Sequence, residues 1–140
     1  MKKISFILFA AFSMALVTFS SCGKYEEGPG LSLSSKKSRV VNTWVIEKVI
    51  SNGQDETALF LLFLGDHSFE FKRDDTYEFL ASGERETGTW SFDSDKDHLE
   101  LMETGTTTKY VQKILRLTAK EMWLVEDDGT DKIEIHYKPK

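Results

Sequence analysis

Cys22 is the one cysteine in a chain of 140 residues, and its chemistry is the best defined that the sequence offers. A lone cysteine closes no internal disulfide, and a secreted chain normally carries an even number or none. The other reactive groups form no such signal. Asp93, Asp95 and Asp97 alternate as in a calcium loop, but that loop needs Gly at its sixth position and Glu at its twelfth, where His98 and Thr104 stand. His67, His98 and His136 are too far apart for metal-ligand spacing. There is no Gly-x-Ser-x-Gly motif, no phosphate-binding glycine loop and no Cys-His pair. Carboxylates are numerous, yet no spacing singles out a catalytic pair. The expectation is a non-enzyme with no cofactor and no metal site.

The surroundings of Cys22 give it a role. Lys2 and Lys3 precede a run over residues 4–19 that is apolar apart from Ser5, Ser13 and Thr18, and the small residues Ser20 and Ser21 follow. This is the layout of a secretory signal peptide over residues 1–21. The run is shorter than the ~20 apolar residues that span a bilayer. Phe19-Ser20-Ser21-Cys22 resembles the lipobox of bacterial lipoproteins, with Phe19 where leucine is commoner. The resemblance implies cleavage before Cys22 and lipidation of its sulfur and amine. More than one acyl chain gives stable anchoring. Residues 22–39 then read as the lipidated cysteine and a flexible tether, with Gly28-Pro29-Gly30 and four serines and no apolar periodicity. Glu26 and Glu27 resemble the acidic surface-export signal of Bacteroidota lipoproteins, and an ordinary solvated linker accounts for them equally well. The expected location is the cell envelope, lipid-anchored at the outer membrane on either face.

Charge excludes some partners. The formal net charge is −5, and loss of Lys2 and Lys3 with the leader makes it −7. No basic stripe exists to neutralise phosphates, so no nucleic-acid partner is expected. The same sign disfavours anionic headgroups as the main partner of the domain.

Holding any site in place is the task of residues 40–140. Here the apolar residues repeat with period two, the mark of half-buried strands. Eight strands are predicted, over residues 40–51, 68–72, 76–82, 87–92, 98–103, 107–117, 121–126 and 132–138. The first places Trp44, Ile46 and Ile50 on one face, with Lys48 interrupting. In the longer 107–117 strand the apolar set switches face near Ile114 and Leu115, which suggests a bulge or bend. Short antiparallel strands with hairpin connections point to a meander closed into a barrel, or to a sandwich. Residues 58–64 form a continuous apolar run. Asp55 and Gly65 flank it as helix cap and stop, which favours a short helix over one end of the barrel, although a buried strand also fits. Its simplest role is core; a lid, a plug or an exposed partner patch are the alternatives.

The strand pattern resembles the small lipocalin-like lipoproteins of Bacteroidota over about residues 40–138. The matching pieces are Trp44, Phe71-Lys72-Arg73-Asp74-Asp75-Thr76-Tyr77, Gly88-Thr89-Trp90-Ser91-Phe92 and Leu115-Arg116-Leu117-Thr118. Asp75 stands where glycine is usual, and Asn42-Thr43-Trp44 keeps the tryptophan of the Gly-x-Trp motif of larger lipocalins without its glycine. The resemblance implies an all-β, eight-stranded antiparallel up-and-down barrel of lipocalin type, with room for one short helix. It also implies a small apolar ligand, held by Trp44, Phe69, Phe71, Tyr77, Phe79, Trp90, Phe92, Leu99 and Leu101. Truncating Trp90 or Phe71 should then lower affinity more than stability. The competing expectation, favoured by the bulk of these side chains, is a filled barrel that serves as a structural or interaction platform for an envelope protein partner.

Overall fold

The computed structural model describes residues 34–140. The expected signal segment over residues 1–21, Cys22 and the expected tether up to residue 33 lie outside the described residues. The Ser35 hydroxyl accepts the Ser38 N–H at 3.1 Å and caps helix α1 (Lys36–Val40). Residues 36–39, expected to belong to the tether, are thus helical. Five residues are too few to show a helical period, so only the serine marked its start. Val40, fully buried, ends the helix, and its carbonyl accepts the Trp44 indole N–H at 2.9 Å. Arg39 Nη1 donates to the Leu117 carbonyl at 2.9 Å. These two bonds fix α1 across one end of the barrel.

The strands are β1 (Thr43–Ser51), β2 (Gln54–Asp55), β3 (His67–Phe71), β4 (Thr76–Ala81), β5 (Glu84–Phe92), β6 (His98–Glu103), β7 (Lys109–Leu117), β8 (Met122–Asp127) and β9 (Lys132–Pro139). From β3 to β9 each pairs antiparallel with the next, and β9 returns to pair with β1. β2 is a two-residue hairpin leg on β1. Eight strands thus close the ring, in the up-and-down order that the hairpin-length connections predicted. Helix α2 (Thr57–Leu64) fills the connection between β2 and β3, at the end opposite α1.

Two bulges decide which residues face inward. On β7 the register shifts between Ile114 and Arg116, at the position where the apolar set changes face; Ile114 and Leu115 are both buried. On β1 it shifts between Ile46 and Lys48. A strict period of two had placed Ile50 inside with Trp44 and Ile46. The extra residue at the bulge puts Val49 there instead, fully buried, while Ile50 is partly exposed.

Turn chemistry sets the hairpins. Asp75 adopts φ +66° in the β3–β4 turn, so the aspartate takes the left-handed conformation for which glycine is the usual residue. Asp74 supports it by accepting from Thr76 N–H and Oγ1 at 3.2 and 2.6 Å. Between β5 and β6, Asp93 accepts the backbone N–H groups of Asp97 and His98 at 2.8 and 3.1 Å and meets the His98 ring at 2.9 Å. The backbone bond from His98 heads the causes that hold its carboxyl down at about 2. The alternating aspartates thus build a turn. Among the described residues, no three His, Cys, Asp or Glu side chains gather as a metal site would require.

Gly88 in β5 explains the Gly-Thr-Trp pattern. It faces inward, and a Cβ there would lie 2.2 Å from the Met102 carbonyl oxygen and 2.6 Å from Tyr77 Cε1. The ring of Tyr77 occupies the space that a side chain would need. Gly88→Ala is expected to destabilise the domain by roughly 3 kcal/mol and lower Tm by on the order of 10 °C, because the backbone oxygen cannot rotate away. Thermal unfolding followed by circular dichroism checks this; an unchanged Tm would refute the packing account.

Candidate ligand cavity

Inward-facing positions on these strands divide the interior into two halves. The half next to α1 is filled. Trp44, Leu99, Leu117 and Met122 are fully buried, and Phe71, Ile114 and Leu124 nearly so. Phe71 meets Trp90 edge-on at 5.7 Å between centroids, and Trp90 meets Phe92 at 5.8 Å in the same manner. The Trp90 indole N–H donates to the Lys72 carbonyl at 3.2 Å, closing the floor with its one polar atom satisfied.

The half next to α2 holds a cavity of about 320 Å³ that opens to solvent. Ile46, Phe60, Leu64, Phe69, Phe79, Leu101 and Ile135 give it apolar walls, and Tyr77, Tyr137, Tyr110, Gln112, Glu86 and Glu126 bring polar atoms. That volume lies at the low end of the ~300–1,000 Å³ usual for ligand pockets. Tyr77 Oη donates to Glu86 Oε1 at 2.6 Å. Burial, reinforced by this bond to a carboxylate, raises the Tyr77 phenol above its ordinary value. Burial alone raises Tyr137. Both phenols stay protonated across the physiological range and act as neutral polar groups.

α2 forms the roof, and its attachment is legible bond by bond. Asp55 Oδ1 accepts from Thr57 N–H and Oγ1 at 3.0 and 2.6 Å, and Thr57 Oγ1 accepts the Val49 N–H at 3.0 Å. At the other end Gly65, with φ +59°, donates to the Leu61 carbonyl at 3.0 Å. The β4–β5 turn holds the same end: Ser82 N–H and Oγ both donate to the Leu64 carbonyl, at 2.9 and 3.0 Å. His67 fills the break left beside the helix. β1 and β3 pair only at Thr43↔Glu70 and Trp44↔Phe69. Beyond that point the Ile46 N–H donates to His67 Nε2 at 3.0 Å, and Nδ1 lies 3.0 Å from the Gly65 carbonyl. An imidazole that accepts at Nε2 carries its proton on Nδ1, which then donates to Gly65. The apolar run predicted as a short helix is therefore a helix, but it is not simply core. Phe60, Leu61 and Leu64 pack inward, while Leu62 and Phe63 are 77% and 74% exposed and Leu59 about half exposed.

Of the nine residues assigned to a ligand from sequence, Phe69, Tyr77, Phe79 and Leu101 line the cavity. Trp44, Phe71, Trp90, Phe92 and Leu99 do not; they face inward but lie in the filled half. The alternation that placed all nine on the inner face carries no information about depth. Sequence reasoning missed the polar lining because it searched the inner face for apolar residues. Counting back by twos from Trp90 reaches Gly88 and Glu86, and from Ile114 reaches Gln112 and Tyr110.

The role of Trp90 changes accordingly. Trp90→Ala is expected to cost about 3–5 kcal/mol of stability, as for truncation of a buried tryptophan, and to leave the cavity lining intact. Chemical denaturation measures the first and binding by the residual folded protein the second. Loss of affinity with full stability would return Trp90 to the site.

No family model and no curated protein matches the chain. Solved structures that share its architecture include two from Bacteroides. A lipocalin-like protein from Bacteroides uniformis superposes with TM-score 0.56 at 11% identity, over 73% of this chain and 99% of that one. A DUF4847 family protein from Bacteroides vulgatus superposes with TM-score 0.53 at 12% identity, over 75% of this chain and 98% of that one. At such identities the likeness speaks for the fold: the chain has the closed, eight-stranded, lipocalin-like β-barrel of these Bacteroides proteins.

Proposed function

We propose that this chain is a lipid-anchored envelope protein whose barrel binds one small, largely apolar molecule. The observation that carries the binding half of this reading is the cavity: a space of about 320 Å³ with apolar walls and a few polar groups, above a packed floor. Pockets of that make-up hold small molecules. Cys22, the preceding apolar run and the small residues beside it support anchoring through lipid at the outer membrane. Binding rather than catalysis is the assigned role, in keeping with the mainly apolar walls of the cavity.

A second reading rests on a different observation. The outer face of α2 exposes Leu59, Leu62 and Phe63 side by side in a helix without a charged residue. Contiguous exposed apolar surface marks interaction sites. On this reading the domain is a platform that meets an envelope protein through α2, with the cavity a packing remnant.

Native mass spectrometry of residues 23–140, purified without detergent and then challenged with an envelope lipid extract, separates the two. The expected result is a reproducible added mass that disappears on unfolding. A bare mass after the challenge would discard the ligand reading and leave the platform. Anchoring is tested apart from binding: Cys22→Ser is expected to move the protein from the membrane to the soluble fraction and to abolish acyl labelling, and unchanged fractionation would overturn the lipoprotein assignment.

A further inference from the structure

The charged groups that line the cavity are of one sign. Glu86 on β5 and Glu126 on β8 stand three strands apart in the ring of eight, and no lysine or arginine joins them in the lining. Gln112 on β7 adds a buried carboxamide oxygen with no hydrogen-bond partner among the described residues. The nearest cations on these strands alternate outward. Arg85 meets Glu78 at 3.5 Å, and Lys109 meets Glu100 at 2.7 Å, both on the outer face. Of the phenols in the lining, Tyr77 already donates its hydroxyl to Glu86.

This set of groups discriminates between ligand classes. A fatty carboxylate would bring a third negative charge to a mouth that holds two and offers no cation. A wholly apolar molecule would gain nothing from either glutamate and would leave the Gln112 oxygen as it is. An ammonium supplies what the mouth lacks: a positive charge and several donors for carboxylate and amide oxygens.

Resting on the ligand reading above, we propose that the cavity takes an amphiphile with a cationic amine head. Its apolar body lies among Phe69, Phe79, Leu101 and Ile135. Its ammonium sits at the mouth between Glu86 and Glu126, within reach of Gln112. Both glutamates are solvent-exposed, so their attraction is modest and screened by salt. The packed floor and the small volume restrict the body to a short chain or a single ring system.

The test compares decylamine, decanol and decanoate, which share one chain and differ in the head, by isothermal titration of residues 23–140 at neutral pH below their aggregation concentrations. Decylamine is expected to bind about ten-fold more tightly than decanoate at low salt, the ratio falling several-fold in about 0.5 M sodium chloride. Glu86→Gln and Glu126→Gln are each expected to reduce that preference by roughly two- to five-fold and to change decanol affinity less than decylamine affinity. Glutamine at position 86 keeps an acceptor for Tyr77, so the variant retains the barrel. Decanoate binding as tightly as decylamine, or a preference that survives the double substitution, would overturn the amine assignment while the ligand reading stands. Binding of none of the three would overturn both.

Discussion

The pairing of β9 with β1 is the constraint on which the rest of this structure depends. It runs from Trp44↔Pro139 to Ser51↔Ile133, along nearly the full length of both strands. It turns a meander into a ring and removes the two edges that an open sheet would present. Its cost is a bulge beside Glu47, which lets a strongly twisted β1 follow β9. A strand so committed on one side has little left for the other. β1 meets β3 over two residue pairs only, both near α1. The ring is therefore tight at one end and parted at the other, and the cavity, the roof helix and the His67 bridge all lie at the parted end.

The filling of the interior follows the same polarity. At the tight end four aromatic side chains and a cluster of leucine, isoleucine and methionine side chains pack under α1, and the indole N–H groups of Trp44 and Trp90 each find a carbonyl. Toward the parted end the inner face becomes polar along several strands: Trp90, Gly88 and Glu86 on β5, Ile114, Gln112 and Tyr110 on β7, Leu124 and Glu126 on β8. Gly88 is the pivot between the two regimes. Its missing side chain makes room for the ring of Tyr77, whose hydroxyl then reaches up to Glu86. One glycine thus links the packing of the floor to the electrostatics of the mouth.

Much of this architecture was legible in the residues, because strand alternation and turn chemistry are local signals. Eight strands, the β7 bulge, the 57–64 helix and the acidic β5–β6 turn all follow from patterns a few residues long. What escaped were the features that depend on a partner distant in sequence. Val49 replaces Ile50 inside because of how β1 registers on β9, some ninety residues away. The α1 plug depends on Leu117 and Trp44 to receive it. Depth within the barrel is likewise a property of the closed ring. Phe71 and Phe69 are two residues apart and alike in type, yet one belongs to the floor and the other to the cavity wall.

Helix α2 and helix α1 close the two ends by different physics. α1 ends in a fully buried valine and is tied to β1 and β7 by an indole and a guanidinium, so removing it would expose core and leave buried polar groups unsatisfied. α2 has no fully buried residue. Its ends are held by a hydrogen bond that Thr57 Oγ1 accepts from the Val49 N–H and one that Ser82 Oγ donates to the Leu64 carbonyl, groups that water can satisfy, and its outward leucine and phenylalanine gain nothing from the closed position. Local opening requires least free energy where few apolar contacts are lost and the freed hydrogen-bonding groups can be hydrated. By that measure the roof opens before the floor, and the route to the cavity runs past α2 and the mouth carboxylates rather than through the tryptophan-lined end.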